Sequence, residues 1–229
     1  MSEITVTVAG AARSVPVDST AANLLGGDSG ANGPDRSTVA ARINGQLRDL
    51  AAALTDGDTI EAVPIDSPDG RSILRHSTAH VMAQAVQDLF PGTLLGIGSP
   101  IQSGFYYDFA PHQPFAPDDL ARIEKRMFEI VKEDQIFRRR VVTDDDARVE
   151  LADEPFKLEL IGLKGGTADD ESVEVGGSEL TMYDNLGRDE AGDDVRIWTD
   201  LCRGPHLPTT RHIPAFTLMR SAAAYWRGS

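Results

Sequence analysis

A chain of 229 residues with 41% hydrophobic and 25% charged side chains can bury one substantial core or two small ones. Its single cysteine excludes an internal disulfide and fits a reducing, cytoplasmic setting, while the absence of a basic leader or of roughly 20 consecutive apolar residues argues against export and a membrane span. The net charge of −14 argues against broad nucleic-acid binding, yet residues 141–200 hold 18 acidic and 5 basic side chains, so the remainder is nearly neutral and leaves room for a local basic surface.

Residues 3–9 alternate apolar and polar and predict a strand. Gly10, Ala11 and Ala12 turn the chain so that 13–17 can return as a hairpin partner. Ser19 or Thr20 can cap a short helix. A loop rich in Gly, Asn and Asp follows at 26–34. A strand at 39–44 ends on the turn signal Asn44-Gly45, continues at 47–54, and is followed by another at 58–63. Strand, hairpin, helix and further strands in this order suggest a small ubiquitin-like β-grasp. Pro64, Ser67, Pro68 and Gly70 give a linker composition.

A helix is expected from 72 to 90, stopped by Pro91-Gly92. Leu74, Val81, Ala85 and Leu89 form its apolar stripe. His76, His80 and Gln84 form a second stripe at i, i+4, i+8, which sets the histidines on a face other than the main core face. Residues 104–109 read as a strand. A helix follows at 118–133, with Pro117 suited to its first turn and Asp118 and Asp119 to its positive end. Strands are expected at 138–142, 156–161 and 195–199. The stretch 164–194 is acidic, loop-rich and expected to be mobile and dispensable for folding.

The histidine pair His76-x-x-x-His80 is answered downstream by Cys202-x-x-x-His206. These motifs take the only cysteine and three of the five histidines, which points to one shared pocket. Such a set contains the ligand types zinc prefers, although one thiolate among three imidazoles is an unusual structural set. Hydrolysis is the other use, since a neutral histidine can take a proton from water. Lys157, one of four lysines against 18 arginines, lies in an apolar segment and could face the same pocket to stabilise an oxyanion. Asp200 could hold a substrate ammonium group. Cys202 as a nucleophile ranks below these readings, because no thiol-protease signature accompanies it.

Four separated segments carry a resemblance: RHSTAHVMAQAV at 75–86, GFYYDF at 104–109, WTDLCRGPHLP at 198–208 and LMRSAAAYWRG at 218–228. In order and spacing they resemble the N-terminal region of bacterial threonyl-tRNA synthetases. The resemblance implies an α+β fold class: a TGS-type β-grasp domain over 1–64, then an α+β editing domain over 65–218 with an antiparallel sheet and a long histidine-bearing helix. Residues 219–229 would begin the linker to an aminoacylation domain. The family's ATP site, catalytic zinc site and anticodon-binding domain would fall outside these residues.

The same resemblance implies hydrolysis of mischarged seryl-tRNA(Thr) with threonyl-tRNA(Thr) spared. It gives His76 and Lys157 catalytic roles and makes His80, Asp200, Cys202 and His206 substrate-binding. It implies no metal or other cofactor in this region, the 3′ end of tRNA(Thr) carrying serine as partner, and homodimerisation of the parent synthetase through its other domains. The acidic insert between Tyr183 and Trp198 departs from the family pattern. Two alternatives are a non-catalytic tRNA-binding appendage and a free-standing zinc-dependent aminoacyl-tRNA deacylase; the closing AYWRG junction argues against the second.

Overall fold

A computed structural model describes residues 2–25, 36–162 and 180–223. The loop expected at 26–34 and the first part of the acidic stretch lie outside the described residues. By its internal contacts the chain divides into two compact units. One comprises Met1–Leu74 with Gly204–Pro208, and the other Arg75–Arg203 with Thr209–Ser229.

The first unit contains β1 (Glu3–Val8), β2 (Ala11–Pro16), α1 (Ala21–Leu25), β3 (Thr38–Ile43), β4 (Gln46–Asp49) and β5 (Thr59–Pro64). They form a five-stranded sheet of order β2-β1-β5-β3-β4, in which β1 and β5 run parallel and the other neighbours antiparallel. The period-2 pattern of β1 sends Ile4, Val6 and Val8 to one face, where they join Val15, Ala21, Leu54 and Ile60 in a core. Asn44 and Gly45 both take positive φ, as a tight hairpin between β3 and β4 requires. The strand expected at 47–54 is shorter, because β4 ends at Asp49.

Helix α2 (Pro68–Leu89) carries both histidines, and its length from Arg75 onward belongs to the second unit. The face that carries the two histidines is itself covered. Ser77–Val81 and Ala83–Val86 are all buried, so this stretch of α2 has no solvent side. A helix covered all round has little amphipathic signal to read.

The second unit continues with β6 (Leu94–Ile101), β7 (Gly104–Ala110), α3 (Pro117–Glu133), β8 (Ile136–Val142), α4 (Asp144–Glu150), α5 (Pro155–Gly162), β9 (Leu180–Arg188), β10 (Asp194–Leu201) and a 3-10 turn at Thr210–His212. Strands β10-β9-β8 form an antiparallel sheet, and β6 and β7 a separate antiparallel pair. The helix α3 opens with Pro117 in its first turn while Asp119 accepts the Ala116 N–H at 2.9 Å. Among the described residues no helix is long and apolar enough to cross a membrane.

Two expectations are corrected in this unit. Residues 156–161 are not a strand but most of helix α5. Pro155 occupies its first turn, and Lys157, Leu160 and Ile161 are buried at the i, i+3, i+4 spacing of one helical face. Residues 180–188, expected to be loop, form the central strand β9, which is buried from Leu180 to Gly187. Its polar side chains find partners along the chain: Asp184 accepts from Arg140 and Thr199, and Asn185 donates to Gln84 at 2.7 Å. The insert between Tyr183 and Trp198 is therefore a β9–β10 hairpin. The register shift between Arg196 and Trp198 bulges β10 just before Trp198 and Asp200, both of which are buried.

Candidate functional site

Successive turns of α2 bring the His76 and His80 rings to 5.2 Å between centroids, edge to face. Just past β10, Cys202 presents its Sγ to His76 Nε2 at 3.3 Å. His80 and Cys202 are buried, and His76 is half-buried.

A buried charge cluster lies beside them. Lys157 from α5 and Asp200 from β10 are both fully buried, and their side chains pair at 2.9 Å. The Tyr107 hydroxyl from β7 donates to the other carboxylate oxygen at 2.6 Å. That oxygen lies 3.8 Å from His80 Nε2. The Lys157 ammonium sits 5.4 Å from the centre of the Tyr107 ring, and the Trp198 ring meets His80 edge to face at 5.6 Å. Burial first, then the charges of His76 and Lys157, pushes the His80 pKa well below its ordinary 6.5. His80 is therefore a neutral imidazole around pH 7.

Gly98 on β6 is what admits Tyr107. It pairs directly with Tyr107 across the β6–β7 ladder, and a Cβ at this position would overlap the tyrosine ring. The aromatic run at 105–107 reads in the sequence simply as a strand, with no site role for Tyr107. Trp198 is equally inconspicuous, since an indole in a strand is ordinarily core.

His206 lies four residues after Cys202 in Gly204–Pro208, the segment that groups with the first unit. It is buried, and its backbone N–H donates to Asp49 Oδ1 at 3.0 Å.

The side-chain donors of His76, His80 and Cys202 lie within 4.8 Å of one another, a set that could hold a metal ion. The expectation of no metal is thus narrower than the geometry. The 3.3 Å between Cys202 Sγ and His76 Nε2 is close to the roughly 3.3–3.8 Å between ligand atoms of a tetrahedral zinc. The Lys157 ammonium works against a cation here, because its charge already disfavours a proton on His80.

Residues 174–229 match the family model described as the threonyl and alanyl tRNA synthetase second additional domain. The matched span includes Asp200, Cys202 and His206. The chain is 62% identical over 219 residues to the threonine–tRNA ligase of Streptomyces coelicolor, covering 95% of this chain and 32% of that protein. It is 59% identical over 230 residues to the enzyme of the same name from Thermobifida fusca, covering 99% and 34%. With that of a Parafrankia species it shares 57% over 235 residues, covering 100% and 34%. The chain spans about a third of the length of these curated relatives. Together the matches support a threonyl-tRNA synthetase fragment that carries a synthetase-related editing domain.

Proposed function

We propose that this chain is the proofreading part of a threonyl-tRNA synthetase and hydrolyses the ester of seryl-tRNA(Thr) while sparing threonyl-tRNA(Thr). The observation that carries this reading is the fully buried Lys157–Asp200 pair with the Tyr107 hydroxyl on the same carboxylate, beside a neutral His80. A buried ion pair is a poor source of stability compared with apolar packing. Four polar side chains gathered in one buried place are better explained by chemistry than by folding.

In this reading Asp200, fixed by Lys157 and Tyr107, accepts the α-ammonium of the serine moiety. His80 and Cys202 shape the pocket. His76 takes a proton from water as the water oxygen adds to the ester carbonyl. Lys157 stabilises the oxyanion. The carbon–oxygen bond to the ribose then breaks, and the proton passes to the leaving ribose oxygen, giving free serine and tRNA. A pocket that admits serine and excludes the extra methyl of threonine supplies selectivity by steric exclusion, which binding of the smaller amino acid in a synthetic site cannot.

The five-stranded first unit, with α1 between β2 and β3, supports reading residues 1–64 as a TGS β-grasp domain. We read 65–218 as the editing domain and 219–229 as the start of a linker. The whole synthetase would ligate threonine to tRNA(Thr) with ATP and a zinc site in its other domains, act as a homodimer and work in the cytoplasm. The buried charge cluster favours hydrolysis over a purely tRNA-holding role.

The test is ester hydrolysis by the chain at saturating concentration, with seryl-tRNA(Thr) and threonyl-tRNA(Thr) compared. Seryl-tRNA(Thr) is expected to be cleaved faster by at least about 10-fold, the lower end of what one methyl provides. Equal rates for the two substrates would remove the small-pocket argument.

A further inference from the structure

The side chains that hold this pocket in shape lie behind it, in a chain of hydrogen bonds that the hydrolysis reading does not use. Gln87 is its hub. It stands on α2 seven residues after His80, and two turns of helix return it to nearly the same face. Its amide oxygen accepts the Trp198 indole N–H at 2.7 Å. Its amide nitrogen donates to Glu154 Oε1 at 2.8 Å and to the Thr93 carbonyl at 3.0 Å. The other Glu154 oxygen accepts the Leu95 backbone N–H at 2.7 Å, beside the register shift between Leu95 and Gly98 in the β6–β7 pair.

Each end of this chain leads to a site residue. Trp198 meets the His80 ring edge to face at 5.6 Å and lies two residues before Asp200 on β10. Glu154 directly precedes α5, its carbonyl accepting the Leu158 N–H at 3.0 Å, and stands three residues before Lys157. The elements that supply His80, Asp200 and Lys157 are thus joined twice: once through the ion pair in the pocket and once through Gln87 behind it.

The bonding has one sense only. An indole N–H can only donate, and an ionised carboxylate can only accept. Gln87 must therefore turn its oxygen to Trp198 and its nitrogen to Glu154. A general packing role would not need this polarity.

We propose that Gln87, Glu154 and Trp198 are positioning residues that fix the separation of His80, Lys157 and Asp200 for ester hydrolysis. This rests on the hydrolysis reading above. Small displacements of reacting groups lower rate constants steeply, while loosely held pockets still bind.

Glu154→Gln keeps the size of the side chain but turns an N–H group toward either the Gln87 nitrogen or the Leu95 N–H. It is expected to lower kcat on seryl-tRNA(Thr) by roughly 10-fold to 100-fold with KM unchanged. The reversed pair, Gln87→Glu with Glu154→Gln, again sets donors against acceptors at Trp198, at position 154 and at Leu95, leaving only the Thr93 carbonyl mismatched. It is expected to recover at least about threefold over Glu154→Gln alone, a coupling that two independent structural losses would not give.

Should Glu154→Gln unfold, Trp198→Phe keeps a ring against His80, removes only the N–H, and is expected to lower kcat in the same way. Wild-type kcat in the single variants, or no recovery in the reversed pair, overturns the proposal. A wild-type chain inert on seryl-tRNA(Thr) would instead remove the hydrolysis reading. The positioning role is then read from the nuclear magnetic resonances of the His80 ring. Glu154→Gln must shift them if the network holds that ring, and unshifted resonances overturn it.

Discussion

The Lys157–Asp200 pair sets an energetic problem that the sequence does not announce. Both side chains are fully buried, so removing one partner leaves a charge in a poorly solvated place. Lys157→Met is expected to lower unfolding stability by about 3–5 kcal/mol, measured by urea denaturation, with part of this recovered when Asp200→Asn is added. Unchanged stability in the single variant would mean the pair is hydrated and the pocket open. Rates of Lys157 variants are interpretable only beside such a stability measurement.

The metal question belongs to the same few atoms. His76, His80 and Cys202 offer a plausible partial shell, while the Lys157 field opposes a cation. Hydrolysis is expected to survive a chelator within about twofold, and protein purified without added metal to carry well below one zinc per chain, where a structural or catalytic site would hold about one. Stoichiometric zinc, lost together with activity on chelation, would replace the lysine–histidine mechanism with a metal-dependent one.

At the scale of elements, the β6–β7 pair shows how a fold position serves the site. Gly98→Ala would press a methyl into the Tyr107 ring and push its hydroxyl away from Asp200. The expected result is a stability loss of about 1–3 kcal/mol from overpacking together with reduced seryl-tRNA(Thr) hydrolysis. An unchanged rate would show that the Tyr107–Asp200 bond is dispensable. Two elements with one wet face were legible in the sequence. The period-2 pattern of β1 and the 3.6-period pattern of α3 both mark a core side. Among elements covered on all sides, α2 was legible as a helix, but β9 was not legible as a strand. The buried strand β9 reads as polar loop because Thr181, Asp184 and Asn185 spend their polarity on partners far along the chain, which no local pattern reveals. The five residues of α5 that alternate apolar and polar mimic a strand, and Pro155 is the local sign of a helix start. In the same way, spacing and residue type made the histidine–cysteine motifs conspicuous. Tyr107, Gln87, Glu154 and Trp198 belong to residue types that are unremarkable one at a time, and only folding brings them to His80, Lys157 and Asp200.

Charge decides how the whole molecule can meet a tRNA. The net charge is −14, and in the second unit many arginines are already committed to carboxylates. Arg126 bonds Asp88 and Glu133, Arg138 bonds Asp194, Arg140 bonds Asp184 and Glu150, and Arg196 bonds Glu150. Few cations among these are left to displace counterions from phosphates, so this chain should hold the amino-acid-bearing 3′ end rather than a long stretch of backbone. Each phosphate contacted on a single strand contributes about −0.7 to the slope of log affinity against log salt. The slope of log(kcat/KM) for seryl-tRNA(Thr) against log salt, between about 50 and 200 mM, is expected to be shallower than about −2, which corresponds to contact with no more than about three phosphates. A chain whose role was to hold tRNA would need many more such contacts and would give a slope of about −4 or steeper. That steep slope, found together with absent hydrolysis, would favour the tRNA-binding appendage over the editing enzyme.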